Sequence, residues 1–291
     1  MIPLKGASHA MIKSISYWSI EPPPAGGERP INEAMADAKA AGFQAIELAV
    51  ATTGVLSVET DQKTCEGYRA LADKHKLSLE TVAAGITWGL SPTDPDEKAR
   101  ERSIAAHAAA LQRAAWLGAK AMLMVPGAVT IPWEPGHKHV RYDRAVQWSK
   151  QAVTRLAETA EHVGVDLCVE NVWNGMFYSP LELVEFVDSI GSSRVGVYFD
   201  AGNVLGYHQH PPHWIEILNK RIRRVHIKDF KKSAGNLSGF CELLEGDVPW
   251  KETMGALRTI KYDKTIVAEM LPPKPGQLER TSKAMDKILA M

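Results

Sequence analysis

The sequence has no apolar run that would cross a membrane, since no window approaches the roughly 18 consecutive apolar residues that a transmembrane helix needs. Its first residues, MIPLKGASHAMIK, also lack the long apolar segment of a secretory signal. Cysteine is scarce as well: the chain has 291 residues and only three cysteines, without zinc-site spacing. These absences predict a reduced, cytoplasmic protein with no membrane partner.

The chain also has no excess of either charge, because 34 lysines and arginines balance 34 aspartates and glutamates. A balanced total argues against a strongly basic surface for nucleic acid, so we expect no nucleic-acid partner. Neither a glycine fingerprint for dinucleotides nor a Walker loop is present.

What the sequence does contain is an eightfold alternation of short apolar runs and helical patterns. The predicted strands are 13–17, 45–48, 78–84, 121–125, 166–170, 195–200, 223–227 and 265–269. The predicted helices are 32–41, 61–75, 96–117, 142–163, 180–190, 212–219, 250–259 and 277–290. Strands that alternate with helices indicate βαβ units and a parallel sheet. Eight such units predict an α/β protein, a single-domain (β/α)8 TIM barrel over residues 1–291.

Four of the predicted strands end in hard metal ligands. The segments CVEN, FDAGN, VHIKD and VAEM carry Glu170, Asp200, His226 and Glu269. The carboxyl ends of barrel strands meet at one face, so these side chains should converge there. Three carboxylates and an imidazole at one point require a divalent cation, because the like charges would otherwise repel. We therefore expect one bound Mn²⁺, Co²⁺, Zn²⁺ or Mg²⁺ ion.

The same four residues suggest a chemistry. Four protein ligands leave room on the ion for two substrate oxygens, such as those of a vicinal hydroxy-ketone, and the ion would stabilise the enediolate formed by deprotonation. Glu170 and Glu269 lie on different strands and approach from different sides. We expect them to be the catalytic pair, one removing a proton and the other returning one to the opposite face. Asp200 and His226 would hold the metal.

Other side chains at the same strand ends are candidates for substrate binding. Tryptophans there can stack on the apolar face of a sugar, although core packing is an equal alternative for each. Lys228 is a candidate for contact with a substrate hydroxyl or a phosphate, since late loops of such barrels often bind phosphate. The predicted substrate-binding residues are Trp18, Glu47, Trp88, Trp173, Asn203 and Lys228.

On these motifs the chain resembles the sugar phosphate isomerase/epimerase family, the xylose-isomerase-like barrels that include ketose 3-epimerases and endonuclease IV. The resemblance covers essentially the whole chain and is strongest from CVENVWNG through FDAGNVLGY, RVHIKDF and EGDVPW to VAEM. It implies that the four strand-end ligands bind the metal and that the two glutamates are the acid and base. The ligand spacing is most similar to that of L-ribulose-5-phosphate and L-xylulose-5-phosphate 3-epimerases. Family members are often dimers or tetramers, which implies a homo-oligomer.

Within the family, two positions depart from the free-ketose epimerases of the D-tagatose and D-psicose type. Those enzymes usually carry histidine where this chain has Asn203, and a different segment where it has Lys228 and Asp229. Our prediction is an isomerase that epimerises C3 of a ketose or ketose phosphate through an enediolate. The open alternatives are an aldose–ketose isomerase, a lyase or dehydratase acting on an inosose or 3-keto-sugar, an endonuclease IV-like hydrolase, and a non-catalytic sugar-binding barrel.

Overall fold

A computed structural model describes residues 11–291. Eight parallel strands form a closed barrel in the order β1-β10-β7-β6-β5-β4-β3-β2. The barrel strands are β1 (Ile12–Ser16), β2 (Ala45–Val50), β3 (Thr81–Ala84), β4 (Ala121–Met124), β5 (Asp166–Glu170), β6 (Val195–Asp200), β7 (Ile222–Ile227) and β10 (Thr265–Ala268). The predicted single-domain (β/α)8 barrel is confirmed.

Helices connect the strands on the outside of the barrel. They are α1 (Ile31–Ala40), α2 (Gln62–His75), α3 (Glu97–Trp116), α4 (Tyr142–Val163), α5 (Pro180–Asp188), α6 (Ala201–Leu205), α7 (Pro211–Leu218), α8 (Trp250–Thr259) and α9 (Gln277–Ala290). Within residues 11–291, none of them has both the length and the apolar character of a membrane span.

Local sequence signals explain where several helices begin and end. The Asp61 carboxylate accepts a hydrogen bond from the Thr64 amide at the start of α2. Ser179 and Glu182 form a reciprocal capping box at the start of α5, with Pro180 in the first turn. Gly164 ends α4 in the left-handed conformation, which glycine adopts at little cost. The predicted bounds of these helices therefore differ from the observed ones by no more than two residues.

Two features were not predicted. The short helix α6 follows β6 directly, and the carboxylate of Asp200 caps it by accepting a hydrogen bond from the Asn203 amide. A two-stranded antiparallel sheet, β8 (Asp229–Phe230) with β9 (Phe240–Cys241), lies in the loop after β7. Both elements are too short to show a hydrophobic period, and both belong to loops at the carboxyl ends of the barrel strands.

The barrel interior is a packed core, as expected for eight strands. Its central layer is formed by small and medium side chains around one large ring, that of Tyr198. The other members of this layer are Ala83, Ala121, Leu123, Val125, Cys168 and Val267. This layer closes the bottom of the space into which the strand-end side chains project.

Candidate metal centre and active site

The structure brings the four predicted ligands together. Glu170 and Asp200 end β5 and β6, His226 lies one residue before the end of β7, and Glu269 follows β10 directly. One ligand atom from each lies within 4.8 Å of every other, and all four residues are buried. The strands lie side by side in the order β10-β7-β6-β5, so the two glutamates flank the aspartate and the histidine.

Among residues 11–291, two buried atoms of this cluster have no hydrogen-bond partner: Asp200 Oδ2 and His226 Nδ1. His226 Nδ1 lies 3.6 Å from Glu170 Oε1 and 3.8 Å from Glu269 Oε2. Buried polar atoms are rarely left without partners, and a binding site for an ion is one ordinary reason. A donor set of three carboxylates and one imidazole suits Mn²⁺, Co²⁺, Mg²⁺ or Zn²⁺, so the residues fit a divalent ion.

The side chain of Lys228 lies among the same carboxylates. Its ammonium is in contact with Glu269, 3.2 Å from Asp200 Oδ2 and 3.9 Å from Glu170 Oε1. Burial opposes its charge, but the three carboxylates outweigh that effect and raise the pKa of Lys228 above its usual range. Burial raises the pKa of Glu170 because it disfavours the charged carboxylate, and the nearby Lys228 ammonium offsets only part of this increase. The three carboxylates therefore favour a cation among them, and the Lys228 ammonium occupies part of that role.

Behind the cluster, His226 is held by two residues of the barrel interior. Its Nε2–H donates to Glu47 Oε1 at 2.7 Å, and the Tyr198 hydroxyl donates to Glu47 Oε2 at 2.5 Å. Burial alone would raise the pKa of Glu47, but the charge of His226 and these hydrogen bonds lower it. Burial also opposes the charged form of His226, yet the Glu47 carboxylate raises the pKa of His226 well above its usual range.

This position corrects the expectation for Glu47. Glu47 is completely buried, and both of its carboxylate oxygens have protein partners. It does not line the substrate pocket. The reason is its place within β2 rather than after it: Glu47 is the third of six residues of that strand and lies one layer below the site.

Two asparagines connect the ends of β5 and β6. The Asn171 side chain donates to the Asp200 carbonyl at 2.9 Å and accepts from the Asp200 amide at 2.8 Å. The Asn203 side chain donates to the Asn171 carbonyl at 2.9 Å and lies 3.5 Å from Glu170 Oε1. The Asn203 amide in turn donates to Asp200 Oδ1 at 2.9 Å. Asn171 and Asn203 therefore hold two of the candidate ligands, Glu170 and Asp200, in place by hydrogen bonds.

A pocket of about 710 Å³ opens above the cluster. Of the four candidate ligands, Glu170 and Glu269 line it, whereas Asp200 and His226 do not. The predicted substrate-binding residues that line it are Trp18, Trp88, Trp173, Asn203 and Lys228. The surface of the pocket is mainly apolar and aromatic, and Trp133, Leu237 and Leu271 form an exposed part of its rim.

The tryptophans of the pocket are held by their neighbours. The Trp173 indole donates to the Asn203 carbonyl at 2.9 Å and packs against Phe240 with ring centroids 5.2 Å apart. Trp88 packs edge-to-face on Trp133 at 4.6 Å on loops that follow β3 and β4. Aromatic side chains fixed in this way provide flat apolar walls for a ligand.

Sequence reasoning missed Tyr198 and Asn171. Tyr198 lies in the apolar run of β6, where an aromatic residue is typical of core packing, and nothing local marks its hydroxyl as a partner of Glu47. Asn171 directly follows Glu170, and its adjacency to a predicted ligand was a signal that could have identified it. The long-range partners of both residues follow only from the order of strands in the closed barrel.

The protein is thus a (β/α)8 barrel with a buried cluster of carboxylates and one histidine, suited to a divalent ion, at the carboxyl ends of its strands. The model of the xylose isomerase-like TIM barrel family matches residues 35–288. The chain belongs to this family.

Solved structures of epimerases have the same fold. A D-tagatose 3-epimerase-like protein superposes with a TM-score of 0.78 at 19% identity, over 96% of this chain and 97% of that one. D-psicose 3-epimerase from Clostridium cellulolyticum H10 gives 0.75 at 18%, over 96% and 98%. The 3-keto-D-glucoside 4-epimerase of E. coli gives 0.74 at 14%, over 97% and 100%. At these identities the likeness establishes the fold.

Proposed function

We propose that the protein is a metal-dependent sugar epimerase that inverts C3 of a ketose or ketose phosphate. The observation that carries the proposal is the division within the cluster: Glu170 and Glu269 face the pocket from two sides, whereas Asp200 and His226 lie behind them. Two carboxylates on opposite sides of a substrate are what a two-base inversion requires. The two residues behind them provide ligands without contacting the substrate.

Glu170, Asp200, His226 and Glu269 would hold the ion. A divalent ion bound there supplies electrophilic stabilisation of the negative charge that develops on the substrate oxygens. One glutamate removes the C3 proton and becomes protonated, while the other gives its proton to the opposite face of the same carbon. Exchange with water then restores both glutamates, and the direction of reaction decides which one acts first.

Side chains that line the pocket would provide the contacts with the substrate. Trp18, Trp88 and Trp173 would stack on the apolar face of the sugar. Asn203 and Lys228 would donate hydrogen bonds to its oxygens, since both line the pocket beside Glu170. Water is excluded from the bottom of the site by the packed layer around Tyr198.

The dimensions of the pocket favour a second candidate, epimerisation or lysis of a 3-keto-glycoside. The pocket volume of about 710 Å³ lies in the upper half of the range of about 300–1,000 Å³ that small-molecule pockets span, so it has room for a second ring beside a six-carbon ketose. Such a substrate also has an acidic C–H beside a carbonyl, and the same pair of glutamates would act on it.

Proton exchange in D2O tests both candidates. The enzyme is loaded with Mn²⁺ or Co²⁺ and incubated with free ketoses, ketose phosphates, cyclic ketones and 3-keto-glycosides. The metal is removed with a chelator before proton NMR spectra are recorded, and a sample chelated from the start is the control. We expect metal-dependent loss of the C3–H signal together with a new epimer.

The position of exchange separates the alternatives. Exchange at C1 of a ketose would replace the epimerase by an aldose–ketose isomerase. Exchange in a 3-keto-glycoside alone would favour the second candidate, and loss of its aglycone would identify a lyase. An absence of exchange with every compound would contradict both proposals.

A further inference from the structure

The strongest feature that the proposed function leaves unexplained is a chain of three buried side chains, Glu47, Tyr198 and His226. They come from three strands, β2, β6 and β7, and are completely buried. Glu47 receives one hydrogen bond on each oxygen, from His226 Nε2 at 2.7 Å and from the Tyr198 hydroxyl at 2.5 Å. A carboxylate in the interior of a barrel has a large desolvation cost, so its retention requires a reason.

From this geometry we infer that Glu47 and Tyr198 are positioning residues that fix the orientation and tautomer of His226 for metal binding. An imidazole that binds a metal is neutral and carries one N–H, because the ion takes the place of the proton on the other nitrogen. Because Glu47 Oε1 accepts the proton of Nε2, Nδ1 keeps its lone pair, and Nδ1 is the atom that faces Glu170 and Glu269 without a hydrogen-bond partner. In the other tautomer, Nδ1–H would point at the site and the Nε2 lone pair would face a carboxylate.

Tyr198 contributes in two ways. Its hydroxyl occupies the second oxygen of Glu47, so the carboxylate cannot rotate away from His226 without losing a buried hydrogen bond. Its ring also packs edge-to-face against the imidazole, with centroids 4.5 Å apart. The imidazole is therefore held by contact on its face and by a hydrogen bond at its far nitrogen. Partners of this kind generally change metal affinity by about 10- to 100-fold.

The inference rests on the proposed metal centre but concerns residues that touch neither metal nor substrate. Glu47→Leu removes both hydrogen bonds with little change in volume, Glu47→Gln keeps an acceptor for His226, and Tyr198→Phe removes only the phenolic bond. Leu111→Ala is the matched control, because it opens a cavity in the buried face of α3 and destabilises the fold away from the site.

Two readouts besides activity test the inference. The first is the Zn²⁺ affinity measured by isothermal titration calorimetry. We expect Glu47→Leu to weaken it by about 10- to 100-fold, Glu47→Gln and Tyr198→Phe by smaller factors, and Leu111→Ala not at all. The second is NMR of Zn²⁺-loaded protein with ¹⁵N-labelled histidine, where wild type should show a slowly exchanging, downfield Nε2–H of His226 that is lost in Glu47→Leu.

The outcomes are distinguishable. If wild type binds Zn²⁺ and Glu47→Leu binds it equally well, with its Nε2–H signal retained, the positioning role is wrong and Glu47 serves only the fold. If Leu111→Ala weakens binding as much as Glu47→Leu, loss of stability alone explains the effect and the inference is again wrong. If wild type itself binds no Zn²⁺, Mn²⁺ or Co²⁺, the metal centre and the proposed function fail together with it.

Discussion

The side-chain amide of Asn171 makes two hydrogen bonds with the main chain of Asp200, donating to its carbonyl and accepting from its amide. The residue after one candidate ligand thus fixes the backbone of the next one, across neighbouring strands. These two hydrogen bonds continue the pairing of β5 with β6 at the position where the strands end and the site begins.

Replacement of Asn171 by alanine should therefore loosen the site and the fold together. Two buried main-chain groups of Asp200 would lose their partners, at about 1–3 kcal/mol each. We expect Asn171→Ala to lower the free energy of unfolding in urea by about 2–6 kcal/mol and to weaken metal binding. Gln151→Ala, at an exposed position of α4, is the control and should leave both unchanged. A normal metal affinity in Asn171→Ala would show that Asp200 is positioned by other contacts.

The two-base proposal makes a prediction for single glutamine variants. Glu170→Gln and Glu269→Gln should each slow inversion at C3 by about 10²- to 10⁴-fold, because one proton transfer loses its carrier. Each variant retains one carboxylate, which still faces one side of the substrate. We therefore expect each variant to exchange the C3 proton of one epimer with D2O, and the two variants to prefer opposite epimers.

The matched control for these variants is Glu185→Gln on the exposed face of α5. Metal affinity must be measured for all three proteins, so that loss of the ion is not mistaken for loss of a base. A near wild-type rate of inversion in either active-site variant would rule out the two-base mechanism.

Removal of the metal should destabilise the fold. The cluster holds three carboxylates within a few ångströms, so an ion that binds only the native state adds about 2.7 kcal/mol when present at 100 times its Kd. For a chain of this size, this corresponds to a rise in Tm of about 4 °C. Differential scanning calorimetry of the protein with Mn²⁺ and of the protein with a chelator measures this difference in Tm.

In Asp200→Asn, addition of Mn²⁺ should no longer raise the Tm. In Asp263→Asn, a substitution at an exposed position, Mn²⁺ should raise the Tm as it does in wild type. A Tm that is independent of Mn²⁺, Co²⁺, Zn²⁺ and Mg²⁺ in wild type would contradict a native metal centre.

Stability should also fall in weak acid because of His107, far from the metal ligands. His107 is completely buried, with Nδ1 2.8 Å from the Ser103 carbonyl and Nε2 3.1 Å from the Thr87 hydroxyl. Burial lowers the pKa of His107 to about 4, below the ~6.5 of an unfolded chain. Between these values the unfolded chain binds the proton and the native protein does not, so stability is lost as pH falls from 6.5 toward 4.

The loss attributable to His107 is on the order of 3 kcal/mol over that window. Urea denaturation at several pH values measures it. His107→Gln should flatten this part of the profile, whereas His162→Gln, at an exposed position of α4, should not. Equal slopes in wild type and His107→Gln would show that other groups cause the acid sensitivity.

Gly206 allows Trp173 to form the wall of the pocket. A Cβ at position 206 would lie 1.7 Å from Cζ2 of the Trp173 ring, so Gly206→Ala must displace the indole. We expect an increase in KM for the substrate and a changed tryptophan fluorescence. Gly255→Ala in α8 is the control: nothing lies within 4 Å of the added methyl, and alanine favours the helix by up to about 1 kcal/mol. An unchanged KM in Gly206→Ala would show that Trp173 does not contact substrate.

The sequence was sufficient to predict the barrel and the convergence of the four ligands, because both follow from strand order and from the residues at strand ends. It was not sufficient for Glu47, which looks like the end of a strand in the sequence and is in fact in the middle of β2. A displacement of two residues along a barrel strand moves a side chain by one layer, from the pocket to the core. Strand boundaries are the least certain part of sequence-based prediction, so roles that depend on the layer require the structure.

The order of the ligands along the chain has a consequence for folding. Glu269 follows β10, and β10 pairs on one side with β1 and on the other with β7, so the last barrel strand also closes the barrel against the first. The complete ligand set exists only after that closure, when contacts between distant parts of the chain have formed. Metal uptake during refolding would therefore report the final closure of the barrel, and its rate would be limited by the slowest long-range strand pairing rather than by diffusion of the ion.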